Sequence, residues 1–416
     1  MKRDEVDFVA RLRQFLPIRA MELVEEAGRP VDDARQENLY LVGGVVRDLF
    51  LERSCLDLDL VVEGDAVGLA RRIAGDGENV VVHAGFGTAI IKGRGFNLDL
   101  ASARCETYFR PGALPRIKIS NMVDDLLRRD FSINAMAVRL SGERHGELVD
   151  PCGGKGDLAD GLVRVLHDRS FVDDATRILR AVRYEQRFGF QLERGTDILL
   201  RRDIPYLDTI SGDRLRHELE RILREGRPER SLIRAEELGV LARLHPSLRA
   251  DEWTAERFRR ARQVYDEPPV PLYFALFCYR LKENELGQLL TRLNASRLLA
   301  RTVRSTIALR EHLESLKPSG LPASRINALL EINTTQAILA NLIACDDLVV
   351  QDRMRLFLDK LKRVKPSLKG DDLLSLGVGP GPPVGQLLMR LRDAKLDGEV
   401  STRAEEVEFV RRLLPK

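Results

Sequence analysis

Strand-like sequence occupies one continuous part of this chain and is almost absent from the rest, so a sheet module must be joined to a helical one. Between residues 38 and 104, apolar runs alternate with turn residues in NLYLVGG, LDLDLVVEG, NVVVHAGFGTAIIKG and NLDLASAR, which read as strands. VVRDLFLE and DAVGLARRIAGDG, lying between them, carry helical spacing closed by polar residues or Gly. RRDFSINAMAVRL and GELVDPCGGKGDLADGLVRVL add a helix, short strands and a Gly-rich turn at Gly153 and Gly154, and the sheet region ends near residue 166. From Phe171 onward amphipathic helices follow one another, separated by Arg227-Pro228, Pro268-Pro269, Lys317-Pro318-Ser319-Gly320 and GVGPGPPVG. No fixed period repeats along them, which disfavours a regular solenoid.

At 416 residues, and at roughly 100–200 residues per domain, the chain has room for about two to four modules. No apolar stretch approaches the roughly 20 residues needed to span a bilayer, so a transmembrane protein is excluded. The opening MKRDEVDFVARLRQFLPIRAMELVEEAG scatters acids and bases through a helical pattern and lacks the layout of a secretory leader, so a cytoplasmic protein is expected. The 67 basic and 64 acidic residues leave a net charge of +3, too small to announce a nucleic-acid binder. Arginine is frequent from Arg177 through Arg262, where interleaved Glu fits solvated helix faces as well as phosphate-binding ones. The five cysteines (Cys55, Cys105, Cys152, Cys278, Cys345) form no C-x-x-C pair and have no His at ligand spacing. That excludes a zinc ribbon and disfavours a disulfide framework.

Chemistry concentrates in LVGGVVRDLFLERSCLDLDLVVEGD. Gly43 and Gly44 end an apolar strand, where glycines let backbone N–H groups approach a phosphate, and Arg47 follows on the helix to neutralise charge. A strand-Gly-Gly-helix is weak evidence alone. Asp57 and Asp59 say more, because alternate residues of a strand share a face and two adjacent acids repel unless a cation lies between them. Such a pair could cap a solvated strand edge. After a Gly-Gly phosphate turn, however, it is the hard-oxygen set that Mg²⁺-dependent phosphoryl or nucleotidyl transfer requires. Asp99, in NLDLASAR, would supply a third carboxylate to the metal by the same geometry.

GGVVRDLFLERSCLDLD resembles motif A of the class II CCA-adding enzymes and bacterial poly(A) polymerases, members of the polymerase-β-like nucleotidyltransferase superfamily. Arg128-Arg129-Asp130-Phe131-Ser132-Ile133-Asn134-Ala135 resembles motif B, which implies Arg129, Asp130 and Asn134 around the ribose and triphosphate. Asp173-Asp174-Ala175-Thr176-Arg177 is similar to motif D, the amino-acid template for the incoming base. Asp174 and Arg177, three apart on a helix, would share a face and offer an acceptor and a fork of donors to a base edge. The family pattern begins Glu-Asp, and the shorter Asp173 puts in doubt a contact made through the longer side chain. Arg180 and Arg183 continue the row, which drifts round the helix, and would reach the triphosphate or neighbouring carboxylates instead of the same base. Asp157 corresponds to the linking motif C, and SARCETYFRPGALPRIKISNMVDDLL is similar to the flexible loop that helps switch between C and A. That loop is whole here, which disfavours CC-only addition; Pro111, Gly112 and Pro115 suit a mobile segment. ISGDRLRHELERIL, with Arg214 and Glu218 at i,i+4, looks like the neck helix. The late Gly cluster is no dinucleotide fingerprint, since no strand precedes it. His167-Asp168 is too little for a metal-hydrolase site.

The resemblance, specific over roughly residues 38–225, implies an α+β protein: a nucleotidyltransferase head followed by an elongated all-helical neck, body and tail. The expected division is a helical leader 1–37, head 38–166, neck with base template 167–226, body 227–330 and a tRNA-binding tail 331–416. It implies a tRNA nucleotidyltransferase using CTP and/or ATP with Mg²⁺, gripping the acceptor stem and T arm by shape and phosphate contacts. A poly(A) polymerase is the near rival. Its basic extension is replaced here by EEVEFVRRLLPK. A non-catalytic RNA-binding module is the rival of another class, disfavoured by the intact acids and base readers.

Overall fold

The computed structural model describes residues 8–29, 38–53, 57–75, 78–83, 85 and 87–414, with backbone alone at Val9, Phe15 and Asp57. The chain divides into two compact units, Met1–Glu218 with Leu238–Arg243, and Leu219–Glu237 with Leu244–Lys416.

The first unit opens with helices α1 (Phe8–Phe15) and α2 (Ile18–Ala27), where the sequence expected a helical leader. Seven strands follow in one mixed sheet: β1 (Asn38–Val42), β2 (Asp57–Glu63), β3 (Asn79–His83), β4 (Thr88–Gly93), β5 (Phe96–Ser102), β8 (Ala137–Arg139) and β9 (Leu148–Val149). Their order is β3-β4-β5-β2-β1-β8-β9; β2 and β5 run parallel, and the other pairs are antiparallel. NVVVHAGFGTAIIKG, read above as one strand, is the hairpin of β3 and β4, since the sequence around Gly85 and Gly87 turns the chain back.

Alternation builds the two faces of this sheet. Leu58, Leu60 and Val62 of β2, with Leu98 and Leu100 of β5, are fully buried on one side. Helix α4 (Ala66–Ile73) packs there, started by Asp65, whose carboxylate accepts from the Val67 N–H at 3.0 Å. Helix α3 (Gly44–Phe50) packs on β1 and β2. Tyr40, Val42 and Val61 point the other way, against Met122 and Leu126 of α5 (Met122–Leu127). That same face carries the carboxylates considered below.

The segment expected to be a mobile loop is an antiparallel hairpin, β6 (Arg104–Thr107) with β7 (Arg116–Ile119). Its ladder satisfies backbone groups that a loop would leave to water. At its tip Gly112 has φ +74°, and a Cβ there would stand 2.4 Å from the Thr209 carbonyl oxygen. Only glycine tolerates both the conformation and the approach.

After α6 (Gly154–Asp160) come α7 (Ser170–Asp173), α8 (Thr176–Phe188), α9 (Arg194–Asp203) and α10 (Gly212–Leu223). The region is not purely helical: β10 (Leu162–Val163) pairs in parallel with β11 (Gln191–Leu192), too short for periodicity to reveal. Asp157 of α6 is buried, accepting from the Ser132 hydroxyl at 2.5 Å and from Arg164 through both oxygens.

The second unit is helical throughout its described residues. One core gathers Leu309, Ile338, Met354 and Phe357; another gathers Leu368, Leu391 and Val410 near the C-terminus. Glu406, 0 % exposed, accepts from the Ser367 and Leu368 N–H groups and from Lys395 at 2.6 Å. Burial would raise its carboxyl, but Lys395 and those N–H groups hold it below the ordinary range. No described helix is long and apolar enough to cross a membrane.

Candidate active site

Register brings two of the expected metal ligands together. Asp59 of β2 stands opposite Asp99 of β5 in the parallel ladder, and Asp57 opposite Asn97. Asp59 and Asp99 line a cavity of about 370 Å³ that Arg128 and Arg129 also reach. The side chain of Asp57 lies outside the described residues, as does Cys55. Among the described residues no group of three or more His, Cys, Asp or Glu is placed to hold a metal. The two described carboxylates are hard oxygen donors of the kind a divalent cation takes.

Gly43 explains itself in a way the sequence did not suggest. Its N–H donates to the Met136 carbonyl at 3.1 Å, so this amide is engaged within the fold. The residue is glycine because φ is +72° and a Cβ would stand 2.6 Å from an Arg129 guanidinium nitrogen. Arg129 itself donates to the fully buried Asp125 at 3.0 Å. Gly44 begins α3, and Arg47, 4 % exposed, bonds Asp48 and the Asn134 amide oxygen.

Asp130 is the hub of the motif-B turn. One oxygen accepts from the Phe131 N–H and the Asn134 amide, each at 2.9 Å. The other accepts from Arg180 Nε and Nη2. Burial pushes the acid up, yet Arg180 and Asn134 prevail and bring it down to about 2. With each oxygen taking two donors, Asp130 here positions Arg180 and Asn134. Accepting from a ribose hydroxyl requires one of those donors to leave.

The base-reading pair needs correction. Asp174 does not share a helix with Arg177: it lies in extended conformation (φ −142°, ψ 97°) between α7 and α8. Its own side chain makes the break, since one oxygen accepts from both the N–H (3.0 Å) and the hydroxyl (2.7 Å) of Thr176, a local turn that competes with the helix. The other oxygen accepts from Arg214 at 2.7 Å. Arg177, in the first turn of α8, donates to Ser170 at 2.7 Å and to the Arg128 carbonyl at 2.8 Å. Along α10, Arg214 goes to Asp174 while Glu218 faces Arg180 at 3.8 Å. Arg183, 7 % exposed, lies over the Tyr184 ring.

The sequence profile of the Poly A polymerase head domain matches residues 39–164, and that of the probable RNA and SrmB-binding site of polymerase A matches residues 189–252. The A-adding tRNA nucleotidyltransferase of Halalkalibacterium halodurans is 32% identical over 94% of this chain and 92% of its own length. The chain belongs to the family of tRNA nucleotidyltransferases and poly(A) polymerases. A-adding tRNA nucleotidyltransferase from Geobacter sulfurreducens is 34% identical over 99% of the chain, which spans about half (49%) of that relative's length. The Thermotoga maritima CCA-adding enzyme, solved in complex with tRNA, superposes with a TM-score of 0.73 at 31% identity, covering 97% of this chain and 98% of that one.

Within this nucleotidyltransferase family site, several residues escaped sequence reasoning. Tyr108 of the hairpin donates to Glu106 at 2.9 Å, and Glu106 takes Arg128 at 3.1 Å. The Arg128 carbonyl in turn accepts from Arg177, so the hairpin and the first turn of α8 are linked by hydrogen bonds. Burial pushes the Tyr108 phenol well up, keeping it a donor. Arg214, Ser170 and Arg128 are partners of Asp174 and Arg177 that no spacing rule could assign, because each pairing joins separate elements.

Proposed function

We propose that the chain is a template-independent tRNA nucleotidyltransferase that adds AMP to the tRNA 3′ end to complete CCA. The observation that carries this reading is the register of Asp59 with Asp99 in a cavity walled by Arg128 and Arg129. Addition of AMP is preferred because the two relatives named above, at 34% and 32% identity, are A-adding. Full CCA addition would use the same residues and is the second outcome of the test below.

Asp57 and Asp59, with Asp99 as a third ligand, would hold Mg²⁺, as their hard oxygens suit it. When bound there, the metal supplies Lewis acidity at the triphosphate and lowers the pKa of the attacking 3′-hydroxyl. Arg47, Arg129, Arg180 and Arg183 place positive charge where the triphosphate binds and pyrophosphate leaves. Gly43 and Gly44 keep the strand end clear of side chains. Asn134 orients the ribose, joined by Asp130 once one of its present donors gives way to the hydroxyl. Asp174 and Arg177 read the base edge in place of a nucleic-acid template, the acid accepting and the guanidinium donating.

The tRNA would lie on the helical regions through its acceptor stem and T arm, with residues 167–226 as neck, 227–330 as body and 331–416 as tail. A tRNA-processing role sets the expected compartment as the cytoplasm. The similarity to a structure solved with tRNA favours this substrate over the open-ended RNA of a poly(A) polymerase.

The experiment is incorporation of labelled CTP and ATP, separately and together, into tRNA transcripts lacking CCA, ending in CC, and ending in CCA, resolved to single nucleotides. One AMP added only to the CC-ending transcript supports A-adding activity. Growth of the shortest transcript to CCA makes it a full CCA-adding enzyme. An open ladder of A would move it to poly(A) synthesis, and no incorporation would leave an RNA-binding module.

A further inference from the structure

The two faces of the β6–β7 hairpin differ in what they meet. Register puts Arg104 and Glu106 on one face with Ile117 and Ile119, and Cys105 and Thr107 on the other with Lys118 and Arg116. The first face anchors the hairpin, because Glu106 accepts from the Tyr108 hydroxyl at 2.9 Å and from Arg128 at 3.1 Å. The second presents Arg116 and Lys118, both exposed. The Arg116 guanidinium lies over the Phe109 ring, 4.0 Å from its centroid, and that ring is 66 % exposed. Arg110, next to Phe109 in the chain, is exposed as well.

Burial would favour an aromatic ring, yet Phe109 keeps most of its surface in water. Other cations of the same unit are answered by carboxylates, Arg128 and Arg129 by Asp125 and Arg180 by Asp130. Among the described residues no acid or other polar group pairs with the side chains of Arg110, Arg116 or Lys118. The Phe109 ring holds Arg116 through its quadrupole, an attraction that takes none of the N–H donors. Unanswered cations around an exposed ring suit single-stranded nucleic acid: the ring and the guanidinium stack a base, and the cations meet the flanking phosphates. A paired stem hides its base faces and would leave the ring idle.

We infer that this face of the hairpin is a binding platform for the unpaired 3′ end of the RNA substrate, one base stacking on the Phe109–Arg116 pair and neighbouring phosphodiesters meeting Arg110 and Lys118. The inference deepens, and rests on, the proposed reading of the chain as an enzyme that extends an RNA 3′ end. Glu106 ties the platform to the cavity of Asp59 and Asp99, since its partner Arg128 lines that cavity.

The test is equilibrium binding to the full chain of a short fluorescent single-stranded RNA ending in CC, and of the same strand without its bases, beside the KM for ATP at saturating tRNA. Phe109→Ala should weaken the intact strand by about fivefold or more, the scale of one base–aromatic stack, and leave the abasic strand within about twofold. Phe109→Trp should restore binding. Because Phe109 is exposed, neither variant should move the melting temperature. Arg110→Gln combined with Lys118→Gln should weaken both strands and make the log–log salt dependence shallower by about 1.4. The ATP KM should stay at its wild-type value throughout. Unchanged affinity of Phe109→Ala for the intact strand would overturn the stacking, as would an equal loss for the abasic strand, and an unchanged salt slope in the double variant would overturn the phosphate contacts. A rise in ATP KM matching the loss of RNA would reassign the face to the incoming nucleotide and overturn the platform. A wild type that binds the strand but adds no nucleotide to tRNA would overturn the enzyme reading and leave the platform standing; one that extends tRNA without binding the strand would overturn the platform alone.

Discussion

Arg180 reaches across fifty residues of chain to place two guanidinium nitrogens, Nε and Nη2, on a single oxygen of Asp130. The pair fastens α8 to the motif-B turn and holds the Asp130 carboxyl near 2, below its ordinary value of 3.8. An acid whose folded-state pKa is depressed stabilises the fold fully above its unfolded value, and that contribution disappears as pH falls through the folded value. The wild type should therefore lose about 2 kcal/mol from this group between roughly pH 4 and pH 2. Asp130→Asn should be less stable at neutral pH by about 3 kcal/mol, since it leaves Arg180 buried without its carboxylate, and should lack this part of the acid loss. Urea unfolding across that pH range checks it; parallel curves for the two proteins would refute the coupling.

Gly43→Ala puts a methyl group 2.6 Å from Arg129 at a backbone angle of +72°. A cost of about 1–3 kcal/mol in stability is expected from the strain. The displaced Arg129 should also lower nucleotide incorporation. Thermal melts and single-turnover incorporation read the two effects; a variant that melts and works like wild type would contradict the close approach.

Arg214→Ala removes the partner of one Asp174 oxygen. Asp174, the acid proposed to read the base, is then anchored through Thr176, so discrimination between ATP and CTP should fall by about tenfold, the scale of one charge-assisted hydrogen bond. Competition between the two nucleotides on a CC-ending transcript measures it, and an unchanged ratio would remove Arg214 from base selection.

Asp59→Ala should reduce incorporation by about a thousandfold, the several kcal/mol that metal-assisted charge stabilisation supplies, with little change in melting temperature. Chelation of divalent ions should stop the wild type, and added Mg²⁺ should restore it. Retained activity in either case would refute the metal assignment.

In the second unit Glu406→Gln keeps an acceptor for Ser367 and Leu368 but removes the charge facing Lys395. A loss of about 3 kcal/mol is expected from breaking this buried pair. Proteolysis within 367–414 should become faster; equal protection would show that the pair adds no stability.

Much of this was legible in local pattern. Alternation disclosed β1, β2 and β5 and put Asp59 and Asp99 each on a strand as potential ligands, while their pairing across β2 and β5 came only with the register. The segments that carry the Gly-Gly turn and the Arg-Asp and Asp-Arg motifs do meet, through Arg47 with Asn134 and Arg177 with the Arg128 carbonyl. What local pattern could not supply was pairing at a distance: Arg180 with Asp130, Asp174 with Arg214, or Arg177 with the Arg128 carbonyl. The break before α8 was legible in principle, because Asp followed two residues later by Thr is a local hydrogen-bonding unit, but helical spacing concealed it. The β6–β7 hairpin was missed because its strands are four residues each and flanked by Pro and Gly.

The hairpin tip carries one more consequence. Gly112 meets the Thr209 carbonyl with no room for a methyl group, whereas Phe109 and Leu114 on either side of it are exposed. The side chains of Phe109 and Leu114 on this segment can change with little penalty to the fold. Its length cannot, because inserting or deleting one residue between Thr107 and Arg116 would move the glycine off the carbonyl and set a side chain against it. The hairpin thus behaves as a gauge block, whose tolerance lies in the number of its residues and hardly at all in their kind.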